Sequence, residues 1–441
     1  MKKIAICFLS LILTLLVAGC ATQPTPAAPT ATAERVAVQE TATPLPTETP
    51  AATQSPTPQA SATPQATEPP ADDNQDTPTA GAALLITLTP YPGPTPTAAP
   101  LNEPVPQVAT GDYECGDYPC FDDAEAWEAR IRLPEGFVAR YYAQVDPHPT
   151  SFQFGPDGLL YVALQEGEIL TVDEAGNVET YVDGFYYLVS LAFQPGTERL
   201  FAASRAESND AAIIWVIEEG EVTALFDDLP CCYGGWHQAN GIAFGPDGYG
   251  YVGLGALSDH GERLPLHPME ASVLRFHPDG REIEVFASGL RNTFDITWDG
   301  AGRLFGSDNG PDHGPPEEFH LIEPGGHHGF PYYEGCESCP EAPADLEIVE
   351  PLHDLLAHSA PTGVTSYLHE QFPGYYNNLF LTLWSAFPGA QKVVRFGPGG
   401  EDMTDFATGF AAPVDVTVGP DGALFVVDWA TGVIFEIRYE G

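Results

Sequence analysis

His237 stands in Gly234-Gly235-Trp236-His237-Gln238-Ala239-Asn240, a polar loop just ahead of an alternating apolar run. An imidazole there can take a proton from a hydroxyl near neutral pH, and it can equally serve as an ordinary hydrogen-bonded loop residue. A second cluster is Gly289-Leu290-Arg291-Asn292, followed one strand later by Asp308-Asn309-Gly310-Pro311-Asp312. A guanidinium beside an amide suits a bidentate grip on a carboxylate or quinone oxygen. Acids and carbonyls in a Gly/Pro turn suit a hard cation such as Ca²⁺, the alternative being a hydrogen-bonded turn. The third cluster joins Glu317-Glu318-Phe319-His320 to Gly325-Gly326-His327-His328-Gly329-Phe330-Pro331. Neighbouring histidines in an extended segment point to opposite sides, so at most one would ligate a given ion, and a structural loop is the preferred reading.

The elements that must position these loops repeat. Ser151-Phe152-Gln153-Phe154 runs into Gly155-Pro156-Asp157-Gly158 and then Leu160-Tyr161-Val162. The unit returns at Gly241 to Gly248 and at Asp415 to Gly422, with looser copies beginning at Leu191, Asp295 and Ser366. Proline at the second turn position and glycine at the fourth suit a tight hairpin, so each copy marks the inner hairpin of a four-stranded sheet. Six copies, spaced roughly as propeller blades with loop insertions are, predict an all-β fold, a six-bladed β-propeller preceded by a disordered N-terminal linker. The terminal run Val433 to Ile437 can pair with the early run Phe137 to Tyr141 and close the ring. Ligand sites of such folds lie at one end of the central channel, where the loops leave the inner strands.

The first quarter of the chain reads differently. Lys2 and Lys3 precede an apolar stretch too short to span a bilayer, which ends in Leu16-Val17-Ala18-Gly19-Cys20. This is a lipobox, so residues 1–19 are expected to be a cleaved lipoprotein signal and Cys20 the lipidated N-terminus. Residues 20–107 are rich in Pro, Thr and Ala, a composition that cannot bury enough apolar surface to fold and predicts an extended tether. Residues 108–441 then form the propeller of an extracytoplasmic, membrane-anchored lipoprotein, at the cell surface or in the periplasm.

Sixty-two acidic against 16 basic side chains give a formal charge of −46, which argues against nucleic acid as a partner. Six cysteines beyond the signal and the lipobox lie close in sequence as Cys115/Cys120, Cys231/Cys232 and Cys336/Cys339. An oxidising compartment makes three local disulfides the natural pairing, with zinc at Cys336/Cys339 as the alternative.

Taken in order, the motifs resemble the soluble glucose and sorbosone dehydrogenase family, six-bladed propellers that use pyrroloquinoline quinone (PQQ) and calcium. The resemblance runs from Leu133-Pro134-Glu135-Gly136-Phe137 through His237, Arg291-Asn292, Asn309-Gly310-Pro311 and Gly325 to Pro331 into the closing repeat. It implies that His237 is the base taking a proton from a sugar hydroxyl, and that an external electron acceptor reoxidises the cofactor. Arg291, Asn292 and Asn309 would contact that cofactor. The carbonyls of Gly310 and Pro311 would hold calcium, with Glu317 close by.

The chain also departs from the family pattern. The aspartate of a Gly-Asp-x-Gly motif that orients the histidine is replaced in Gly253-Leu254-Gly255-Ala256, leaving Asp259 as the candidate substitute. Glucose-oxidising members clamp the tricarboxylate cofactor with a lysine and two arginines from the last two blades. The corresponding segments, Leu383 to Phe387 and Phe410 to Pro413, carry no cation, so Arg205, Arg263 or Lys392 would have to assist Arg291. A non-catalytic propeller that binds a glycan or protein, and a calcium-dependent lactonase-like hydrolase, are the alternative functions.

Overall fold

The computed structural model describes residues 118–120, 123–234, 237–312, 315–333 and 336–441. The signal, Cys20, the tether and Cys115 lie outside the described residues.

The three strong repeats fold as their chemistry requires. In the first, Gly158 N donates to Gly155 O at 3.0 Å and Gly158 takes φ +85°, a value that only glycine adopts without strain. The turn aspartate is a fastener: Asp157 accepts from Leu159 N at 3.1 Å and from the Tyr161 hydroxyl at 3.1 Å. Asp247 repeats both bonds with Tyr249 N and Tyr251 Oη. In these two repeats the turn therefore binds the second strand of its blade, whereas Asp421 of the third accepts from Ala423 N and pairs with Arg438.

Six four-stranded antiparallel sheets result. The first blade is β2 (Pro149–Phe154), β3 (Leu160–Leu164), β4 (Ile169–Val172) and β5 (Val178–Val182). The second is β6 (Tyr186–Phe193), β7 (Leu200–Arg205), β8 (Ala211–Glu218) and β9 (Glu221–Pro230). The third is β10 (Ala239–Phe244), β11 (Gly250–Leu254), β12 (Ser272–Phe276) and β13 (Ile283–Ser288), and the fourth β14 (Ile296–Trp298), β15 (Leu304–Asp308), β16 (Glu318–Ile322) and β17 (His353–Asp354). The fifth is β18 (Pro361–Tyr367), β19 (Asn378–Leu383), β20 (Lys392–Phe396) and β21 (Thr404–Thr408). The sixth joins β22 (Pro413–Val418), β23 (Leu424–Asp428) and β24 (Val433–Tyr439) to β1 (Phe137–Gln144) from the other end of the domain. In that closure Phe137 pairs with Tyr439 and Gln144 with Val433, leaving β24 no open edge. Phe137 seals it with edge-to-face contacts to Phe372, Tyr375, Phe406 and Tyr439 at 4.7 to 5.4 Å.

The fifth blade differs from the sequence reading. Its inner strand starts at Pro361, five residues before the copy read at Ser366, because the tight Gly-Pro-Asp-Gly turn is replaced by the loop between Tyr367 and Asn378, packed on Phe372 and Tyr375.

The inner strands also bind one another around the channel. Ser151, Ser190, Gly241, Asp295, Gly363 and Asp415 occupy equivalent places ahead of the turns. Ser151 Oγ accepts from Leu191 N, Ser190 Oγ from Ile242 N, Asp295 Oδ2 from Val364 N and Asp415 Oδ2 from Phe152 N, each a bond to the next blade. Gly241 and Gly363 have no side chain because their neighbours use the space: a Cβ at Gly241 would overlap Asp295 Oδ1, and one at Gly363 would overlap Asp415 Oδ1. The channel cavity here encloses about 240 Å³. None of the sequence-chosen site residues lines it; they lie at the other end, where the inner strands begin and the second strands finish.

Candidate active site at the channel mouth

His237 precedes β10 and is 6% exposed. Its Nδ1 lies 2.9 Å from the carbonyl of Ala256, which fixes Nδ1 as the protonated nitrogen and leaves Nε2 as an acceptor. Burial, then the charge of Arg291, pushes its pKa down to about 3, so the ring is neutral at any physiological pH. The expected substitute for the orienting aspartate is corrected here: a backbone carbonyl orients His237, and Asp259 does something else. Gly255 makes the arrangement possible, since a Cβ there would fall 2.7 Å from His237 Cα and 2.8 Å from Asn292 Oδ1.

Asn292 is reached from the third blade by Asn240, whose Nδ2 donates to Asn292 Oδ1 at 2.9 Å. Asp308, fully buried at the end of β15, holds the whole turn by accepting Arg291 N at 2.7 Å, Asn292 N at 2.6 Å and the Tyr333 hydroxyl at 3.0 Å. Burial first and Glu318 second push its carboxyl up to about 6. Asn309 crosses to the fifth blade through a 2.9 Å bond to Pro361 O. Sequence reasoning thus chose residues that the fold does bring together: His237, Arg291, Asn292, Asn309, Gly310, Pro311 and Glu317 occupy one sector, at the start of β10 and β14 and the end of β15.

The guanidinium of Arg291, however, is consumed by protein. It pairs with Asp259 Oδ1 and donates to Asp259 O at 3.0 Å and Asn309 O at 2.7 Å, both side chains being nearly buried. The proposed helpers are also committed. Arg205 bonds Gln238, Asn209 and Gly234 O while lying 4.3 Å from the Tyr187 ring centroid. Arg263 donates to Leu257 O, and Lys392 pairs with Asp405 at 2.7 Å between β20 and β21.

A calcium ion and PQQ test differently against these residues. The carbonyls of Gly310 and Pro311 accept no hydrogen bond among the described residues. Glu317, whose Oε2 accepts Gly310 N at 2.6 Å, is pushed up to about 7, above all by burial. Two unclaimed carbonyls beside a desolvated carboxylate form a hard-oxygen donor set that fits calcium, with further ligands drawn from water or substrate. Among the described residues no group of three or more His, Cys, Asp or Glu side chains gathers as a metal cluster. PQQ fits less well: the Arg291 guanidinium is paired with Asp259, Lys392 of the fifth blade is paired with Asp405, and the segments Leu383 to Phe387 and Phe410 to Pro413 carry no cation.

In the third cluster, His328 is buried with its Nδ1 3.2 Å from His320 Nδ1, while His327 packs against Gly289 and lies near Tyr332. Both serve the loop that caps the fourth blade. Cys231 is joined to Cys232 and Cys336 to Cys339; Cys120 is also disulfide-bonded.

Sequence reasoning passed over the far side of the mouth. Trp384 follows β19, Trp429 follows β23 and His148 precedes β2, and all three are half-buried. The Trp384 and Trp429 rings meet edge to face at 5.4 Å, and His148 lies along Trp429 at 4.3 Å. Tryptophan at a strand end reads equally as core, so no local signal marked them.

Comparison with known proteins agrees with this architecture. A curated but uncharacterized protein of Borreliella burgdorferi is 27% identical over 212 residues, and the match spans 42% of this chain and 56% of that relative. Among solved structures, a putative glucose dehydrogenase of Thermus thermophilus superposes with a TM-score of 0.56 at 22% identity, covering 68% of this chain and all of that one. The PQQ-bound aldose sugar dehydrogenase of Streptomyces coelicolor gives 0.56 at 21% identity, over 70% and 99% of the two chains. The soluble aldose sugar dehydrogenase of Escherichia coli in its apo form gives 0.59 at 18%, over 69% and 99%. These likenesses establish a shared fold. The sequence model described as glucose/sorbosone dehydrogenase matches residues 146–435, every blade included, and the chain therefore belongs to the glucose/sorbosone dehydrogenase family.

Proposed function

We propose that this propeller is an extracytoplasmic sugar dehydrogenase, held to a membrane through Cys20, whose reacting centre is His237 at the channel mouth. The observation that carries the reading is the state of that imidazole: Nδ1 bound to Ala256 O, the ring neutral, and Nε2 without a hydrogen bond among the described residues. A buried neutral imidazole with one nitrogen anchored is a positioned acceptor for a hydroxyl proton. Asn292, fixed by Asn240 and Asp308, is placed to orient the same hydroxyl. Gly310, Pro311 and Glu317 would hold calcium, which when bound polarises an oxygen of the reacting pair.

Oxidation of the alcohol carbon also needs a hydride acceptor. The donor set argues against PQQ held by salt bridges, so the family's cofactor is either bound weakly or replaced by a less anionic acceptor. That misfit favours a second reading, a propeller that binds a saccharide without oxidising it. The experiment is to incubate the purified chain with calcium and aldoses, with and without added PQQ, and to follow reduction of an artificial dye in wild type and His237→Asn. Turnover that depends on His237 establishes the dehydrogenase. No turnover under any condition, with sugar binding intact, establishes the second reading.

A further inference from the structure

Residues 330–333 and 336–340, in the connection from β16 to β17, back the candidate site. Phe330 N donates to Gly289 O at 2.8 Å, and the Tyr333 hydroxyl donates to Asp308 at 3.0 Å. Pro331 takes the space at Gly261, where a Cβ would fall 2.4 Å from Pro331 Cβ. Phe330 and Tyr333 are buried with Ala256 and Ala271 in a small apolar cluster, and the partly buried Cys336 and Cys339 pack against it. Ala256 O is the partner of His237 Nδ1, while Ala256 N donates to Arg291 O at 2.7 Å. The disulfide therefore closes the cluster that holds both anchors of the site, the carbonyl that orients His237 and the hydroxyl bound to Asp308.

That bond is the part of the support that chemistry can open. Cys339 N donates to Cys336 O at 3.3 Å, a turn that sets the two Cα atoms 5.3 Å apart, within the span of a disulfide. Glu337 and Ser338 between them are exposed, so the sulfurs lie under a surface turn. A bridge across three positions takes little freedom from the unfolded chain, which makes it a weak staple for the domain as a whole. A reachable Cys-x-x-Cys pair held together by its own turn is suited to opening and closing by exchange with thiols.

We propose that Cys336–Cys339 is a thiol–disulfide exchange site for a dithiol, and that its redox state sets the order of the site beside it. A thiolate of the dithiol attacks one sulfur, and its second thiol resolves the mixed disulfide. The dithiol leaves as a disulfide, and Cys336 and Cys339 receive its two electrons and two protons as thiols. The opened turn frees Tyr333 to leave Asp308, the carboxylate that accepts from Arg291 N and Asn292 N. The inference goes beyond the proposed function and holds equally for a mouth that oxidises a sugar and one that only binds it.

The test equilibrates the full chain in detergent with mixtures of reduced and oxidised dithiothreitol, traps free thiols by alkylation for peptide mapping, and follows hydrogen exchange in the peptide bearing Arg291 and Asn292. Cys336 and Cys339 should become alkylated together, exchange in that peptide should rise about tenfold, and reoxidation should restore it while the strands of blades one, five and six stay protected. The double variant Cys336→Ser/Cys339→Ser should exchange fast without reductant and not respond to it, which separates this pair from Cys231–Cys232. Tyr333→Phe should exchange fast in both redox states, since the hydroxyl that carries the coupling is gone. Melting curves identify any variant that fails to fold, and the wild-type titration then carries the comparison. A bond that stays closed until the blades themselves lose protection, one that opens with exchange unchanged, or a response that persists in the double variant would overturn the proposal. Turnover is not among the readouts, so a chain without dehydrogenase activity leaves the result intact.

Discussion

Asp259→Asn isolates the charge argument. The amide keeps an oxygen facing Arg291 and Asp312 N but removes one negative charge from the mouth. For an anion docked on Arg291, a carboxylate about 7 Å away contributes about 2 kcal/mol of repulsion at an effective dielectric near 20, and solvent at the mouth reduces this to about 1. PQQ should therefore bind Asp259→Asn about five- to thirty-fold more tightly than the wild type in calcium, while neutral maltotriose is unaffected. Stability should move the other way. Deleting one partner of a buried pair costs about 3 to 5 kcal/mol, and retaining the amide hydrogen bond should hold the loss to about 1 to 3. The assay is paired calorimetry and urea denaturation of both proteins. Submicromolar PQQ binding by the wild type, with no gain in Asp259→Asn, would show that the pair with Asp259 leaves Arg291 available, and would refute the reasoning.

The remaining predictions concern the base, the channel and the closure. His237→Asn should lower turnover at least about a hundredfold while sparing sugar affinity, and because the ring's pKa lies near 3, the wild-type rate should show no histidine limb between pH 5 and 8. Asp415, pushed up to about 7 by burial, contributes stability fully present below about pH 4 and lost as pH rises through 7; Asp295 is raised in the same direction by burial and by Asp415. Melting temperature should accordingly fall between pH 5 and 8, and Asp415→Asn should flatten that slope. Phe137→Ala should cost about 3 kcal/mol in urea denaturation by emptying the centre of an aromatic cluster at the closing blade.

The blade count, the closing strand and the polar sector of the mouth were legible because their signals are local. Gly155 to Gly158 states its own turn, and Arg291-Asn292 lies next to the strand that carries it. What escaped depends on contacts made across the ring. Nothing near Asp259 announces that it neutralises Arg291, 32 positions away, and nothing near Ala256 marks its carbonyl as the partner of His237. Trp384 and Trp429 become a pair only when blades five and six are side by side. The same holds for Asp295, whose meaning depends on Gly241 in the preceding blade.

That last pairing bears on how such a ring can be rebuilt. Around the channel the equivalent positions read Ser, Ser, Gly, Asp, Gly, Asp, so each carboxylate occupies room vacated by the blade before it. The third blade is thereby coupled to the fourth and the fifth to the sixth, two couples in the ring of six, while the first two blades carry serine at this place. Removing the fifth blade alone would set Asp295 against Asp415 and crowd two acids, and removing the fourth alone would set Gly241 beside Gly363 and leave a hole. Shuffling or deletion by couples, with the third and fourth blades or the fifth and sixth kept together, preserves the fit.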